Sequence, residues 1–144
     1  MGKLEDAKAA FNRRDYTTGL RLLRPLAKQG DAAAQFVFGL LYYMGQGLPK
    51  NYAEAVKWFH KAAEQGNVEA QVMLGTMYRD GQGLPQNYTE AAKWYRKAAE
   101  QGDHIAQSEL GVMYARGQGV PKNQAEAVRT AVGALRQIGV AFKG

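Results

Sequence analysis

Cysteine is absent from the 144 residues, which excludes a disulfide framework, thiolate metal centres and a cysteine nucleophile. Histidine occurs twice, as His60 and His104, and serine once, as Ser108, so few groups remain for nucleophilic or acid–base chemistry. No apolar run approaches the roughly 20 residues that cross a bilayer. The opening Met1-Gly2-Lys3-Leu4-Glu5-Asp6 leads into a polar stretch without the pattern of a secretory leader. What is plentiful is apolar and basic: 46% hydrophobic residues, and 19 Lys plus Arg against 13 Asp plus Glu, a net charge of +6. That composition builds a core, and its charge is compatible with nucleic acid or an acidic protein partner.

The chain repeats itself. Ala34-Gln35 returns as Ala70-Gln71 and Ala106-Gln107, an offset of 36 each time. Gly45-Gln46-Gly47, Pro49 and Asn51 recur at the same step, and Ala62-Ala63-Glu64-Gln65-Gly66 recurs as Ala98-Ala99-Glu100-Gln101-Gly102. Trp58 matches Trp94. Such a period is the signature of stacked units, and missing it would misread everything else. The expected division of a single repeat domain over 1–144 is a leading unit at 3–33, repeats at 34–69 and 70–105, and a last repeat at 106–144.

Each unit reads as two helices. In the first, Ala34, Phe38, Leu41 and Tyr42 share one face. Asp31, Asn67 and Asp103 are suited to cap its free amides, and each follows a glycine able to end the preceding helix. Gly-Gln-Gly-Leu/Val-Pro then stops it. The second helix starts at Asn51, with Glu54 three residues on, the spacing of a reciprocal capping box; Asn87/Glu90 and Asn123/Glu126 repeat it. Tyr52, Ala55, Val56, Phe59, Ala62 and Ala63 form its apolar stripe. Gly39, Gly75 and Gly111 stand mid-helix, where glycine costs about 1 kcal/mol relative to alanine. Close helix crossings explain that cost, with Ala62-Ala63 and Ala98-Ala99 as small partners. One such unit cannot cover its own stripe, so the fold class expected is all-α, an α-solenoid of about seven or eight helices.

The pattern resembles the Sel-one-like repeats (SLR), relatives of the tetratricopeptide repeats. Ala70, Leu74, Gly75, Tyr78, Gly81, Gly83, Ala91, Trp94, Tyr95, Ala98, Ala99 and Gly102 match that family's unit position by position. The leading unit departs from it, since Phe11-Asn12-Arg13-Arg14-Asp15-Tyr16 is closer to the shorter tetratricopeptide turn. The last unit departs too, with Thr130 and Ala131 in place of Trp and an aromatic. Val132, Leu135, Ile138, Val140 and Phe142 suggest a terminal helix that caps the array. The resemblance implies a right-handed superhelix whose concave, first-helix face binds a protein or peptide. It also implies a bacterial adaptor, with the compartment open between cytoplasm and, were a leader removed, periplasm or exterior.

Positions that vary between units are the candidate contacts: Phe36, Leu40 and Tyr43, then Val72, Thr76 and Arg79, then Ser108, Val112 and Arg116. Exposed apolar surface marks interaction sites, and arginine grips carboxylates bidentately. The plainer alternative has Phe36 and Tyr43 packing against a neighbouring first helix. The second helices carry a basic column of Arg21, Lys57, Lys93 and Arg129 that a nucleic-acid backbone could follow. Glu64 and Glu100 lie within pairing distance of Lys61 and Lys97, so a solvated face is the preferred reading and nucleic acid is set below protein as a partner. Catalysis is not expected. His104 and Ser108 are four apart but have no third group to orient the histidine, and two distant histidines make no metal site. Gly-Gln-Gly follows no strand, so it is a helix stop and not a dinucleotide fingerprint. Trp58 and Trp94 read as packing residues. No cofactor or membrane span is expected, and a monomer is favoured. Some cysteine-rich relatives are linked to cell-wall or β-lactam chemistry, a branch from which the lack of cysteine separates this chain.

Overall fold

The computed structural model describes residues 2–139. Among them are eight helices and no strand: α1 (Lys3–Asn12), α2 (Tyr16–Lys28), α3 (Ala32–Met44), α4 (Tyr52–Glu64), α5 (Val68–Asp80), α6 (Tyr88–Glu100), α7 (His104–Arg116) and α8 (Gln124–Gln137). The chain divides after Ala70 into two compact units.

In the first unit, α1 packs on α2, α2 on α3 and α3 on α4. The core joins Ala7, Leu23, Ala27, Ala34, Phe38 and Leu41, with Leu20, Leu26 and Trp58 against its edge. The stripe of α4 buries Ala55, Phe59, Ala62 and Ala63, while Tyr52 and Val56 are only half-buried. In the second unit α6 packs on α7 and α7 on α8. Leu74, Met77 and Tyr95 are fully buried there.

The helix ends follow from the capping residues. The carboxylate of Asp31 accepts from the Ala34 amide at 2.8 Å, and Asn67 and Asp103 do the same for Ala70 and Ala106. Gly30 takes a left-handed φ of 99°, and the Asp31 amide reaches back to the Leu26 carbonyl at 3.1 Å. This closure satisfies carbonyls that the helix end would leave bare.

The second helices begin differently from the capping box expected of them. Asn51 accepts from the Glu54 amide at 3.1 Å, as Asn87 and Asn123 do from Glu90 and Glu126. The return half of the box is replaced. The Asn51 amide donates to the Tyr42 carbonyl at 2.9 Å, and Asn87 and Asn123 donate to Tyr78 and Tyr114. The carboxylate of Glu54 is therefore released to pair with Lys57 at 3.1 Å. One backbone bond per repeat thus fixes the turn to the helix before it.

The mid-helix glycines do mark close crossings, but their partners are not the alanine pairs. A Cβ on Gly39 would stand 2.7 Å from the Phe59 ring, and on Gly75 2.7 Å from the Tyr95 ring. On Gly111 it would meet the Thr130 hydroxyl at 2.7 Å and the Ala127 carbonyl at 3.2 Å. At Gly39 and Gly75 aromatic rings fill the grooves that glycine opens, which sequence periodicity alone does not reveal.

The leading pair has the short turn expected of it, with three residues between α1 and α2. The end of α8 differs from the expected seal. Leu135 and Ile138 are 38% and 58% exposed, and no helix follows α8 among the described residues. Val140 and Phe142 lie outside the described residues.

Candidate functional site

Three of the variable positions, Phe36, Tyr43 and Thr76, meet the second helix of their own pair. Phe36, Leu40 and Tyr43 of α3 are half-buried. The Phe36 ring lies 5.7 Å from that of Phe59, and Tyr43 lies 5.1 Å from Tyr52. The aromatic neighbours of Phe36 and Tyr43 are thus on α4. The Lys50 ammonium covers the outer side of Tyr52 at 4.8 Å. The result is a partly open aromatic surface, Phe36-Tyr43-Tyr52, with a cation at its edge.

In the second unit the corresponding surface is more polar. Val72, Thr76 and Arg79 are half-buried, while Ser108, Val112 and Arg116 are exposed. The Thr76 hydroxyl and the Tyr95 hydroxyl are 2.8 Å apart. Burial raises the pKa of Tyr95, with the Thr76 bond acting the other way. Burial likewise raises Tyr78. The Arg79 guanidinium donates to Glu109 at 2.6 Å and to Asp80 at 3.0 Å. Its hydrogen bond to Asp80 pushes its pKa upward, so it stays charged. Arg79 is already committed to two carboxylates, whereas Arg116 makes no ion pair among the described residues.

Three of the four cations in the basic column are compensated. Lys57, Lys93 and Arg129 are exposed and pair with Glu54, Glu90 and Glu126 one turn back. Lys61 and Lys97 do not pair with Glu64 and Glu100 as their spacing suggested. Glu64 takes His60 at 3.1 Å, and the two ammonium groups lie over the indoles of Trp58 and Trp94 at 4.7 and 4.6 Å. The tryptophans are therefore packing residues with a lysine lid. His104 and Ser108 are both exposed. No group of three His, Asp or Glu among the described residues could hold a metal ion, and no described helix is long and apolar enough to cross a membrane.

Buried glutamines were missed at the sequence level, although the recurring Ala-Gln pair was their signal. Gln35 is 5% exposed. Its carboxamide donates to the Ala27 carbonyl at 3.2 Å and accepts from Gln65 at 2.8 Å. Gln71 accepts from Gln101 at 2.9 Å in the second unit. Buried amides need such partners, and here the partner stands thirty residues on each time.

The Sel1 repeat family profile matches residues 13–31, 32–67, 68–103 and 104–129. The chain belongs to the Sel1 repeat family. Among solved structures, the c5321 protein, a protective antigen of uropathogenic Escherichia coli with an SLR fold, is 37% identical with a TM-score of 0.92. That likeness covers 94% of this chain and 30% of the other. A Sel1 repeat protein from Oxalobacter formigenes is also 37% identical, with a TM-score of 0.88 over 92% of this chain and 55% of that one. This Sel1 repeat chain thus spans under a third and about half of those two relatives. The cysteine-rich protein B of Helicobacter pylori shares the fold at 22% identity and a TM-score of 0.66, over 88% of this chain and 90% of that one. No curated protein matches the chain significantly. Sel1 repeat proteins are generally non-catalytic scaffolds for protein–protein interaction. The helix pairs described above are the repeat solenoid of that family.

Proposed function

We propose that the chain is an adaptor that binds a peptide or partner protein on the first-helix faces. The contacts are Phe36, Leu40 and Tyr43 in the first unit and Val72, Thr76, Arg79, Ser108, Val112 and Arg116 in the second. The observation that carries this reading is the split between constant and variable positions. Caps, crossing glycines and buried glutamines recur every 36 residues, while these half-buried or exposed positions change from unit to unit. A constant frame with changing side chains gives a repeat protein specificity without altering its fold. Aromatics and arginine, the residue types that dominate interface energies, occur among the changing ones. A partner with apolar side chains suits the α3 surface, and one with a carboxylate suits Arg116.

The test compares three double variants in capture of partners from the source cell, with and without nuclease. Phe36→Ala with Tyr43→Ala removes the aromatic surface, but Phe36 also packs on Phe59, so helicity is checked by circular dichroism. Val112→Asp with Arg116→Glu alters two exposed positions and leaves packing intact. Lys57→Ala with Lys93→Ala alters the opposite face. Loss of a nuclease-resistant partner in the first two and retention in the third is the expected result. Loss only in the third assigns binding to the second-helix face.

A further inference from the structure

The last first helix, α7, carries a surface that the repeat before it lacks. Where that repeat has Glu69, Thr76, Asp80 and Gln86, the positions thirty-six residues on are Ile105, Val112, Arg116 and Lys122. Two acids and two neutral polar residues have become two apolar residues and two cations. Ile105, Val112 and Arg116 lie on one line along α7, because seven and eleven residues are close to whole turns of a helix. All three are exposed, Ile105 by 50% and Val112 by 42%. Large apolar side chains left in water on one line mark a contact surface.

The two cations stand at one end of that line. Gly117 follows Arg116 with a left-handed φ of 69°, and a Cβ there would lie 3.2 Å from the Lys122 Cβ. The Asn123 amide closes the turn on the Tyr114 carbonyl at 2.9 Å. Arg116 and Lys122 thus flank one pinned turn, both exposed and neither in an ion pair among the described residues. They are the only charged residues between Leu110 and Ala125. The acids nearest in sequence are engaged elsewhere, Glu109 by Arg79 at 2.6 Å and Glu126 by Arg129. Positive charge is therefore uncompensated at the turn, while the middle of the line runs beside the Glu109 carboxylate. A partner's acids belong at the turn and not further back along α7.

We propose that α7 and the turn after it bind an acidic peptide segment, with apolar side chains on Ile105 and Val112 and carboxylates on Arg116 and Lys122. Charge complementarity names the occupant, because two unpaired cations call for carboxylates. The aligned apolar pair calls for side chains that a nucleic-acid backbone lacks. Ile105 and Val112 are about 10 Å apart along the helix axis, so an extended segment places its two apolar residues about three apart. Its acids come next, since Arg116 is one turn beyond Val112. This rests on the first-helix reading above and names the partner of its second unit.

The test titrates the full chain with the peptide acetyl-Leu-Ala-Ser-Leu-Glu-Glu-amide and with its reversed order, acetyl-Glu-Glu-Leu-Ser-Ala-Leu-amide, following backbone amides by nuclear magnetic resonance. Both orders are used because a segment can run either way along α7. Saturable shifts centred on Val112, Arg116 and Lys122 are expected with one of them, and binding at least about tenfold weaker once both Glu are replaced by Gln. Added salt should shrink that difference. Arg116→Gln with Lys122→Gln changes two exposed side chains, and should erase the preference for Glu while leaving the Gln peptide unaffected. Equal binding of the Glu and Gln peptides, a preference that survives the double variant, or no saturable shift with either order overturns the proposal. Tighter binding of a single-stranded oligonucleotide at the same residues also overturns it. Partner capture that is lost in Val112→Asp with Arg116→Glu, but kept in Arg116→Gln with Lys122→Gln, overturns the acidic peptide alone. Capture kept in both variants overturns the first-helix reading of the second unit as well.

Discussion

Gly75 and Tyr95 touch so closely that a single added carbon on Gly75 would stand 2.7 Å from the ring. Tyr95 is fully buried and tied to Thr76, so the ring cannot swing aside. Gly75→Ala should therefore destabilise the fold by about 1–3 kcal/mol, the usual range for overpacking. Gly133→Ala is the control, because its Cβ has ordinary contact at 3.5 Å from Gln107. It should stabilise α8 by up to about 1 kcal/mol through helix propensity. Denaturant midpoints measure both, and equal effects at the two glycines would remove the crossing argument.

The cap at α6 separates two residues that a capping box would couple. Asn87→Ala removes the acceptor for the Glu90 amide and should cost about 1 kcal/mol. Glu90→Ala removes only a salt bridge to exposed Lys93 and should cost under about 0.5 kcal/mol. A double-mutant cycle between the two positions should show little coupling.

Alkaline stability should report Tyr95. Its folded pKa lies above the ordinary tyrosine value of 10.0, chiefly because burial penalises the phenolate. The unfolded chain therefore loses this proton first. The contribution is complete below that value and disappears as pH climbs past it toward the folded pKa. Tyr95→Phe should flatten the alkaline fall in unfolding free energy, at a neutral-pH cost of about 1 kcal/mol for the lost Thr76 bond. An unchanged alkaline slope would assign the effect elsewhere, with Tyr78 the next group to examine.

Arg14 holds a φ of 62° in the turn between α1 and α2. That left-handed conformation costs a side-chain-bearing residue roughly 1 kcal/mol. Arg14→Gly should recover part of it, so the thermal midpoint should rise, or at worst stay level.

Much of this was legible in the sequence. The Asp31, Asn67 and Asp103 caps, the helix-closing glycines and the buried stripe Ala34-Phe38-Leu41 depend on local chemistry at fixed spacing. What stayed hidden depends on which groups meet across helices. The Asn51 amide chose the Tyr42 carbonyl over Glu54, Lys61 chose the Trp58 ring over Glu64, and Gly39 faced Phe59 rather than an alanine. Helical spacing offers two or three partners of suitable charge or size, and tertiary packing selects among them. The candidate contacts were readable as variable positions, but not the degree to which Phe36 and Tyr43 lean on α4.

The loss of tryptophan from the last repeat has a spectroscopic side. The chain's two indoles, Trp58 and Trp94, both lie under lysine ammonium groups on α4 and α6. Tryptophan fluorescence therefore watches those helices directly, and α7 and α8 carry no indole of their own. Repeat arrays can open from an end, because each pair is held mainly by its neighbours. If α7 and α8 fray first, ellipticity will fall before the emission maximum moves, and the two melting curves will separate.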